Sequence, residues 1–477
     1  MRNEDSSVNK IVVIGGGAAG LMAAYAALNH GAQVTVLEHT DKPGTKLLLT
    51  GNGSCNFTNS EMLPEHYSGD RSFIESVLSM FGYEDTLGLF EGLGVQHTEK
   101  RYRFSDARYI YPLSGEAASI RNALLYGIER LNGRVVTGVN TESISVNDKH
   151  SLSEPDTAGR SSLSCFAADD DGVSEAAAEQ SYVKGKCLRR FSIFTDKGTF
   201  EADELIIAAG SNAAPETGSD SSVYPLIRQL GHGFKTFTPA LCALHSADCA
   251  LALLKGIRHD CTVTLEAEDA GSFTQRGEVQ FNSNNISGIP VMNFSRYAAA
   301  LKNGCRLTLT VDFLPDLSFD ETVGMIKRCA VLSGESGRNF EDMLKLSLPS
   351  GLAKVVCKAV IGEAKAGTFT AGFSEELSDG VYLPVKSRGA ANETCARIAA
   401  LLKGMRFSIN GSAKFSRAQT CAGGVPTDEI DKESMESKLC KGLYFAGELI
   451  DVDGDCGGYN LQWAWSTGFI AGSSAAG

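Results

Sequence analysis

Gly15, Gly17 and Gly20 stand at GxGxxG spacing directly after the apolar run Ile11-Val12-Val13-Ile14. Four mostly β-branched residues running into glycine read as a buried parallel strand. The chemistry served by this spacing is the holding of a dinucleotide pyrophosphate. Gly15 allows a tight turn, Gly17 lets the backbone approach the phosphates with no Cβ in the way, and Gly20 lets the following helix lie close to the strand. Ala18 and Ala19 open that helix, whose free N–H groups and positive dipole end face the phosphates. Glu38 closes the next apolar run, Val34-Thr35-Val36-Leu37, about twenty residues after the glycines, where an acid bonds ribose hydroxyls. An acid there also repels a 2′-phosphate, because two negative charges would meet.

Other stretches carry residue types suited to the same ligand. Residues 41–59 are rich in turn formers and small polar groups, as a loop wrapping a cofactor would be. Lys46 in this loop suits a phosphate. Cys55 has no His or acid beside it in sequence, and reads as a structural or pocket-lining thiol rather than a nucleophile. The run Leu205-Ile206-Ile207 ends in Ala208, Ala209 and Gly210, small residues where a strand would meet a cofactor closely. Near the C-terminus a short strand ends at Gly447-Glu448, and a Gly-rich loop opens an Ala-rich helix near Tyr459. An acid at that strand end can bond a ribityl hydroxyl. The helix start at Gly458-Tyr459-Asn460-Leu461 can stabilise negative charge on a reduced flavin. Asp451, Asp453 and Asp455 alternate as in a calcium loop, but no Glu stands at the twelfth position, so no metal is expected.

The elements that must position these residues follow from periodicity and punctuation. Gly31 ends the first helix. Residues 71–93 read as helical, with Phe73, Val77 and Phe81 at i, i+4 and i+8. Residues 99–112 read as strands. Ser114 is expected to cap a helix over 115–131, and 134–139 follows as a strand. Residues 149–186, rich in Ser, Ala, Asp, Glu and Gly, read as a surface insertion between two strands that pair, 141–147 and 189–196. Alternating strands begin after 240, Pro315 marks a boundary, 318–402 is mainly helical, and 405–409 returns as a strand. The expected domains are therefore 1–240 (the first part of a dinucleotide-binding domain), 241–315 (an inserted β domain), 316–402 (an inserted helical domain) and 403–477 (the return strand and the rest of the first domain).

With 477 residues and a formal net charge of −13, the chain is long enough for two or three domains and poorly suited to non-specific nucleic-acid binding. No apolar run is long enough to span a bilayer, and the first residues lack the apolar core of a signal peptide. Thirteen scattered cysteines without a CxxC pair suit a reducing cytoplasm and not zinc. The absence of a CxxxxC pair argues against a flavin–disulfide reductase.

Several motifs together carry a family resemblance: the N-terminal fingerprint, Thr50-Gly51-Asn52-Gly53-Ser54-Cys55-Asn56, Ser287-Gly288-Ile289-Pro290, Ala422-Gly423-Gly424-Val425, and Gly442-Leu443-Tyr444-Phe445-Ala446-Gly447-Glu448 with Gly457-Gly458-Tyr459-Asn460-Leu461-Gln462. The chain resembles the BaiN/aminoacetone-oxidase family of flavoproteins over nearly its whole length. That resemblance implies FAD in an α/β, Rossmann-type two-dinucleotide-binding domain with inserted β-barrel-like and helical domains. It places Gly15, Gly17, Gly20, Glu38, Lys46, Asn52, Gly53, Val139, Gly210, Gly447, Glu448, Asp451, Gly458, Tyr459, Asn460 and Leu461 around FAD. Ser54 and Thr45 stand where the family often has Arg, and 281–285 lacks the His or acid and the Gly common before Ser-Gly, on the side expected to face substrate.

The function expected from residues and resemblance together is an FAD-dependent reductase. NAD(P)H is the transient electron donor and a steroid- or bile-acid-like enone the small-molecule acceptor. A proton donor would complete the reduction at the α-carbon. Tyr109, Tyr111 and His97 are candidates, and no spacing singles one out. The alternatives are an amine oxidase using O₂ and a non-catalytic flavoprotein acting as a redox sensor or RNA-associated factor, the last disfavoured by the net charge. The sequence does not fix the oligomeric state.

Overall fold

The computed structural model describes residues 8–101, 107–147, 190–267, 271–299, 307–360 and 388–477. The insertion expected at 149–186 lies outside the described residues, as do parts of the stretches read as strands over 99–112 and as helical over 318–402.

Five parallel strands form the central sheet, in the order Leu443–Phe445, Glu204–Ile207, Lys10–Ile14, Gln33–Glu38, Arg134–Thr137. Both chain ends contribute, since the last strand to be made lies beside one formed more than two hundred residues earlier. Each central strand is apolar because both faces are covered: Ile11, Val12, Val13, Leu205, Ile206 and Ile207 are all buried. A three-stranded antiparallel sheet, Gly198–Ala202, Phe191–Thr195 and Thr141–Val146, crosses over the connection to Glu204–Ile207. The pairing expected across the insertion is present, with Ile144 opposite Ile193.

The first helix, Ala18–Asn29, is apolar on nearly all sides, and Ala19 through Ala24 are buried throughout. A helix without a polar face must be covered all round. The sheet covers one side and the C-terminal helix, Tyr459–Ala476, covers the other. Small residues set that helix–helix distance. A Cβ on Gly468 would stand 2.5 Å from the carbonyl oxygen of Ala19, and one on Gly472 would run into the carbonyl of Ala23.

Six antiparallel strands close a barrel in the order Leu244–Ser246, Asn285–Ser287, Gly271–Phe281, Arg258–Ala267, Leu307–Asp312, Met405–Ser412. The strand read as returning to the first domain at 405 therefore belongs to the barrel, where Phe407 pairs opposite Leu309. Its alternation explains why: Met405, Phe407 and Ile409 are buried while Arg406 and Ser408 are exposed. The β and helical inserts also share one core. Val263, Leu309 and Phe407 of the barrel pack in one cluster with Ile326, Phe340, Leu352 and Ile398 of the helices.

Two helix boundaries differ from the sequence expectation. The stretch 71–93 is two helices, Arg71–Met80 and Tyr83–Gly92. The break falls at Gly82, whose N–H donates to Asp85 Oδ2 at 2.8 Å as the second helix starts, while Asp70 caps the first helix by accepting from Phe73 N–H at 2.7 Å. Ser114 does not cap the following helix, which spans Ala117–Arg130. Its hydroxyl instead accepts from Glu116 N–H at 3.2 Å in the preceding turn.

Gly472→Val should lower stability by about 2 kcal/mol or more, because overpacking here meets backbone and not a flexible side chain. The chain's two tryptophans, Trp463 and Trp465, both lie buried in the C-terminal helix, so denaturant unfolding followed by their fluorescence reads this contact. An unchanged midpoint would mean that the two helices do not depend on each other.

Candidate cofactor and substrate site

One cavity of about 820 Å³ runs along the C-terminal edge of the parallel sheet, where ligands bind in open α/β folds. The turn after the first strand forms its base. Gly15 has φ +103°, and a Cβ there would stand 2.5 Å from the carbonyl oxygen of Ala208. A Cβ on Gly20 would strike the carbonyl oxygen of Gly15. Both glycines are required by the protein's own packing. Gly17 is different: its φ is an ordinary −77° and no protein atom lies within 4 Å of where its Cβ would stand. It lines the cavity at the N-terminus of the first helix. A glycine with neither a conformational nor an internal steric reason fits a ligand that comes close to the backbone, as a pyrophosphate does.

Glu38 lies at the end of the second strand and faces the same cavity while being only 7% exposed. Its Oε2 accepts from Gly16 N–H at 2.8 Å, and its Oε1 accepts from the Thr40 N–H at 2.8 Å and hydroxyl at 2.7 Å. These bonds fix the carboxylate against the glycine turn. Val139 and Ala209-Gly210 close this end of the cavity.

Midway, Lys46 Nζ pairs with Glu448 Oε2 at 2.6 Å, and Ser211 Oγ donates to the same oxygen at 2.8 Å. All but Ser211 line the cavity. The lysine expected at a phosphate is thus bound to the acid expected at a ribityl hydroxyl, and the pair joins the wrapping loop to the strand end. That loop is backbone-strained. Gly51, Asn52, Gly53 and Cys55 all have positive φ, two of them non-glycine, a concentration typical of ligand clamps. Cys55 itself is fully buried, and burial pushes its thiol up to about 12, so it is inert as a nucleophile.

At the far end, the loop before the C-terminal helix is tied down from several directions. Asn460 accepts from Gly454 N–H at 2.9 Å and donates to Gly454 O at 2.8 Å. Arg296 of the insert reaches Asp453 at 3.1 Å and Asp455 at 3.8 Å. Asp455 also meets His66 at 3.2 Å, and Asn293 of the insert accepts from Cys456 N–H at 2.9 Å. Burial outweighs the attraction of Arg296 at Asp453 and pushes its carboxyl up to about 7. No group of metal-binding side chains forms among the described residues, and each of the three alternating acids is paired with a base. Asn56, which lines the cavity, leaves its Oδ1 buried without a partner, so a donor from a bound ligand would be met there.

Of the residues expected around the cofactor, Gly15, Gly17, Ala18, Ala19, Glu38, Lys46, Asn52, Val139, Ala209, Gly210, Gly447, Glu448, Gly458, Asn460 and Leu461 line this one cavity. Four do not. Gly20 and Gly53 shape turns behind it. Asp451 turns away to pair with Lys235 on a separate groove. Tyr459 is buried against His66 and Tyr67, with its ring stacked on that of His66 at 4.5 Å. Of the three proton-donor candidates, Tyr109 and Tyr111 line the cavity and His97 instead faces Glu91 at 3.2 Å. Leu241, Ile289, Met292 and 416–419, from the insert and the segment leaving it, complete the wall. Sequence reasoning missed them because they come from a different domain, and their residue types carry no ligand signature.

The chain matches the HI0933-like protein Rossmann domain family over residues 9–167 and 163–474. It is 32% identical to the 3-dehydro-bile acid delta(4,6)-reductase of Clostridium scindens, with 98% of this chain and 99% of that protein covered. It is 26% and 25% identical to the ribosomal RNA dihydrouridine synthases of Haemophilus influenzae and Escherichia coli, covering 97% and 96% of this chain and 98% and 95% of those proteins.

The chain belongs to the HI0933-like Rossmann family.

The family resemblance read from the motifs is therefore correct, and the chain is an enzyme, an oxidoreductase. Among the described residues no helix is long and apolar enough to cross a membrane.

Gly17→Val should fold with little change in apoprotein stability and lose FAD, since the space it fills is empty of protein. Flavin absorbance per mole after purification, beside the melting curve of the stripped protein, checks both halves. Asp453 gives a pH signature. The folded state holds its proton up to about pH 7, whereas an unfolded Asp releases it near ~4. Between these values the folded state binds more protons, so stability falls as pH rises from about 4 to about 7. Asp453→Asn should flatten that part of the profile, and equal slopes in wild type and variant would show that Asp453 is ionised throughout.

Proposed function

We propose that this oxidoreductase is a nicotinamide-driven reductase of the conjugated C=C bond in an apolar enone of steroid or bile-acid type. One observation carries the reading: the cavity that begins at the dinucleotide turn continues into a chamber walled by Leu241, Ile289, Met292, Tyr109 and Tyr111. The 32% identical relative, named as a reductase of a 3-dehydro-bile acid, supports the same substrate class.

Bound FAD supplies hydride transfer from a nicotinamide to the β-carbon of the enone. The protein's own part is to hold, orient and protonate. The N–H groups at the start of the first helix take the pyrophosphate, and Glu38, fixed by Gly16 and Thr40, takes the ribose. The N-terminus of the C-terminal helix, with its eighteen residues, offers N–H groups and a positive dipole end where negative charge builds up. Burial pushes the Cys456 thiol on the cavity wall up to about 12, so it stays protonated there. The α-carbon takes its proton from a tyrosine hydroxyl. We assign it to Tyr109, whose ring abuts Gly457 beside that helix start: a Cβ on Gly457 would stand 2.7 Å from the ring and 3.4 Å from its hydroxyl.

The two ribosomal RNA enzymes are less similar to the chain than the bile-acid enzyme, and a net charge of −13 provides no steering of a polyanion.

Without oxygen, NADH or NADPH should bleach the flavin and a 3-oxo-Δ4 steroid should restore its colour. Tyr109→Phe should slow that restoration by about 10²-fold, the lower range for loss of a general acid. A stopped-flow trace at the flavin band decides. Bleaching by amines and restoration by oxygen would replace this reading with an amine oxidase, and a response to uridine-containing RNA but not to enones would move it to the other branch of the relatives.

A further inference from the structure

Charged side chains on the cavity wall are mostly neutralised. Lys46 holds Glu448, Asp455 is shared by His66 and Arg296, and Glu38 accepts three hydrogen bonds from Gly16 and Thr40. Arg417, like Lys42, Lys100 and Glu216, lines the wall without an ion-pair partner among the described residues, but it comes from the side of the insert. It lies in the short turn Phe415–Arg417 that follows the last barrel strand, and it is the one charged side chain that this segment and the insert turn to the cavity. Among the described residues its guanidinium meets no carboxylate, and neither does the Ser416 hydroxyl beside it find a partner. Gln419, one step on, has only a long contact from its Nε2 to Met292 Sδ at 3.9 Å. The residue between them, Ala418, is buried, so the segment is anchored by backbone packing while its polar ends stay free. Gln419 N–H donates to Leu241 O and Ala418 N–H to Phe415 O, which fix the turn.

A guanidinium, a hydroxyl and a carboxamide presented by three exposed residues in a stretch of four are all hydrogen-bond donors, and only the carboxamide has an internal contact, the long one to Met292. Arg is the side chain best suited to bidentate recognition of a carboxylate or phosphate. Beside them, Leu241, Ile289 and Met292 offer only apolar surface. We propose that Ser416, Arg417 and Gln419 form an anion subsite that grips the oxyanion end of a ligand whose apolar body lies against the insert. This rests on the reductase reading for its apolar body but not for the anion itself. Two sources have the required chemistry: a carboxylate on the organic substrate, and a phosphate of the nicotinamide donor.

Binding to the oxidised holoenzyme separates these from each other and from the reaction. The probes are a 3-oxo-Δ4 steroid carboxylic acid, its methyl ester, NAD⁺ and NADP⁺, each titrated against the flavin spectrum. The acid should bind at least ten-fold tighter than the ester in wild type. Arg417→Gln should remove that preference with a ten- to hundred-fold loss for the acid, the range of a lost charge-assisted hydrogen bond. The ester should shift by less than about two-fold, and Arg417→Lys should recover part of the loss. Raising salt should weaken the acid and not the ester. A loss confined to NADP⁺, with NAD⁺ unmoved, assigns the same subsite to a nucleotide phosphate. Flavin content and melting temperature of each variant exclude a folding defect. If the acid binds through Arg417 but no enone reoxidises the reduced protein, the reductase reading fails and the subsite stands. Equal affinities of wild type and Arg417→Gln for every anionic probe, including no measurable binding by either, overturn the subsite.

Discussion

The turn between the first strand and the first helix has no room for a side chain, and the rest of the molecule is built around that fact. Gly15 stands against the backbone of Ala208, and Gly20 against the carbonyl of Gly15. Strand, helix and neighbouring strand are therefore in backbone contact at one point, directly beneath the space that Gly17 leaves open. Such contact holds only if the helix is pressed onto the sheet from behind. The C-terminal helix does this through Gly468 and Gly472, which meet the backbone of Ala19 and Ala23. The last eighteen residues of the helical tail thus set the geometry of a turn made by residues near the start.

That arrangement explains why the chain can leave the Rossmann domain for so long and return. The excursion into the barrel and its helices has its own apolar core, which includes Val263, Leu309, Phe340 and Phe407. What it supplies to the first domain is a wall. Ile289 and Met292 close the cavity, while Asn293 and Arg296 on the same short stretch grip the loop ahead of the C-terminal helix. Apolar contact with a ligand and polar contact with the cofactor end come from adjacent residues of one segment.

Much of this was legible because backbone constraints leave a local mark. The GxGxxG turn, the apolar strands and the placement of Glu38 could be read, since each depends on residues close in sequence. Fifteen of the positions expected around the cofactor line the cavity, as counted from the residues on its wall. The misses have physical causes. Met405–Ser412 alternates as well for a barrel as for a sheet edge, and only its long-range partners decide between them. A new helix start at Gly82, held by Asp85, breaks a stretch whose apolar period runs on without interruption. Lys46 and Glu448 were each assigned to a ligand, because nothing in sequence shows that residues 402 positions apart bind each other. The insert's share of the cavity wall was hidden for the same reason: Leu241, Met292 and Arg417 become neighbours of one cavity only after the barrel has closed.

The three alternating acids show how one local pattern can serve opposite ends. Asp451, Asp453 and Asp455 repeat at the spacing of a cation loop, yet a cation site needs its oxygens to converge. Here an extended backbone sends them apart: Asp451 to Lys235, Asp453 to Arg296, and Asp455 to His66 as well as Arg296. Lys235 and His66 belong to segments 216 and 389 residues away along the chain. The loop is stitched to the first domain on two sides and to the insert on a third. Each pair alone adds little where water reaches it, but Arg296 and Asp453 are 11% and 5% exposed, and a buried pair is costly to break because it strands a charge. The start of the C-terminal helix is thereby held to the insert by a contact whose release would strand the Arg296 guanidinium, itself only 11% exposed, which ties the insert's part of the cavity wall to that helix end.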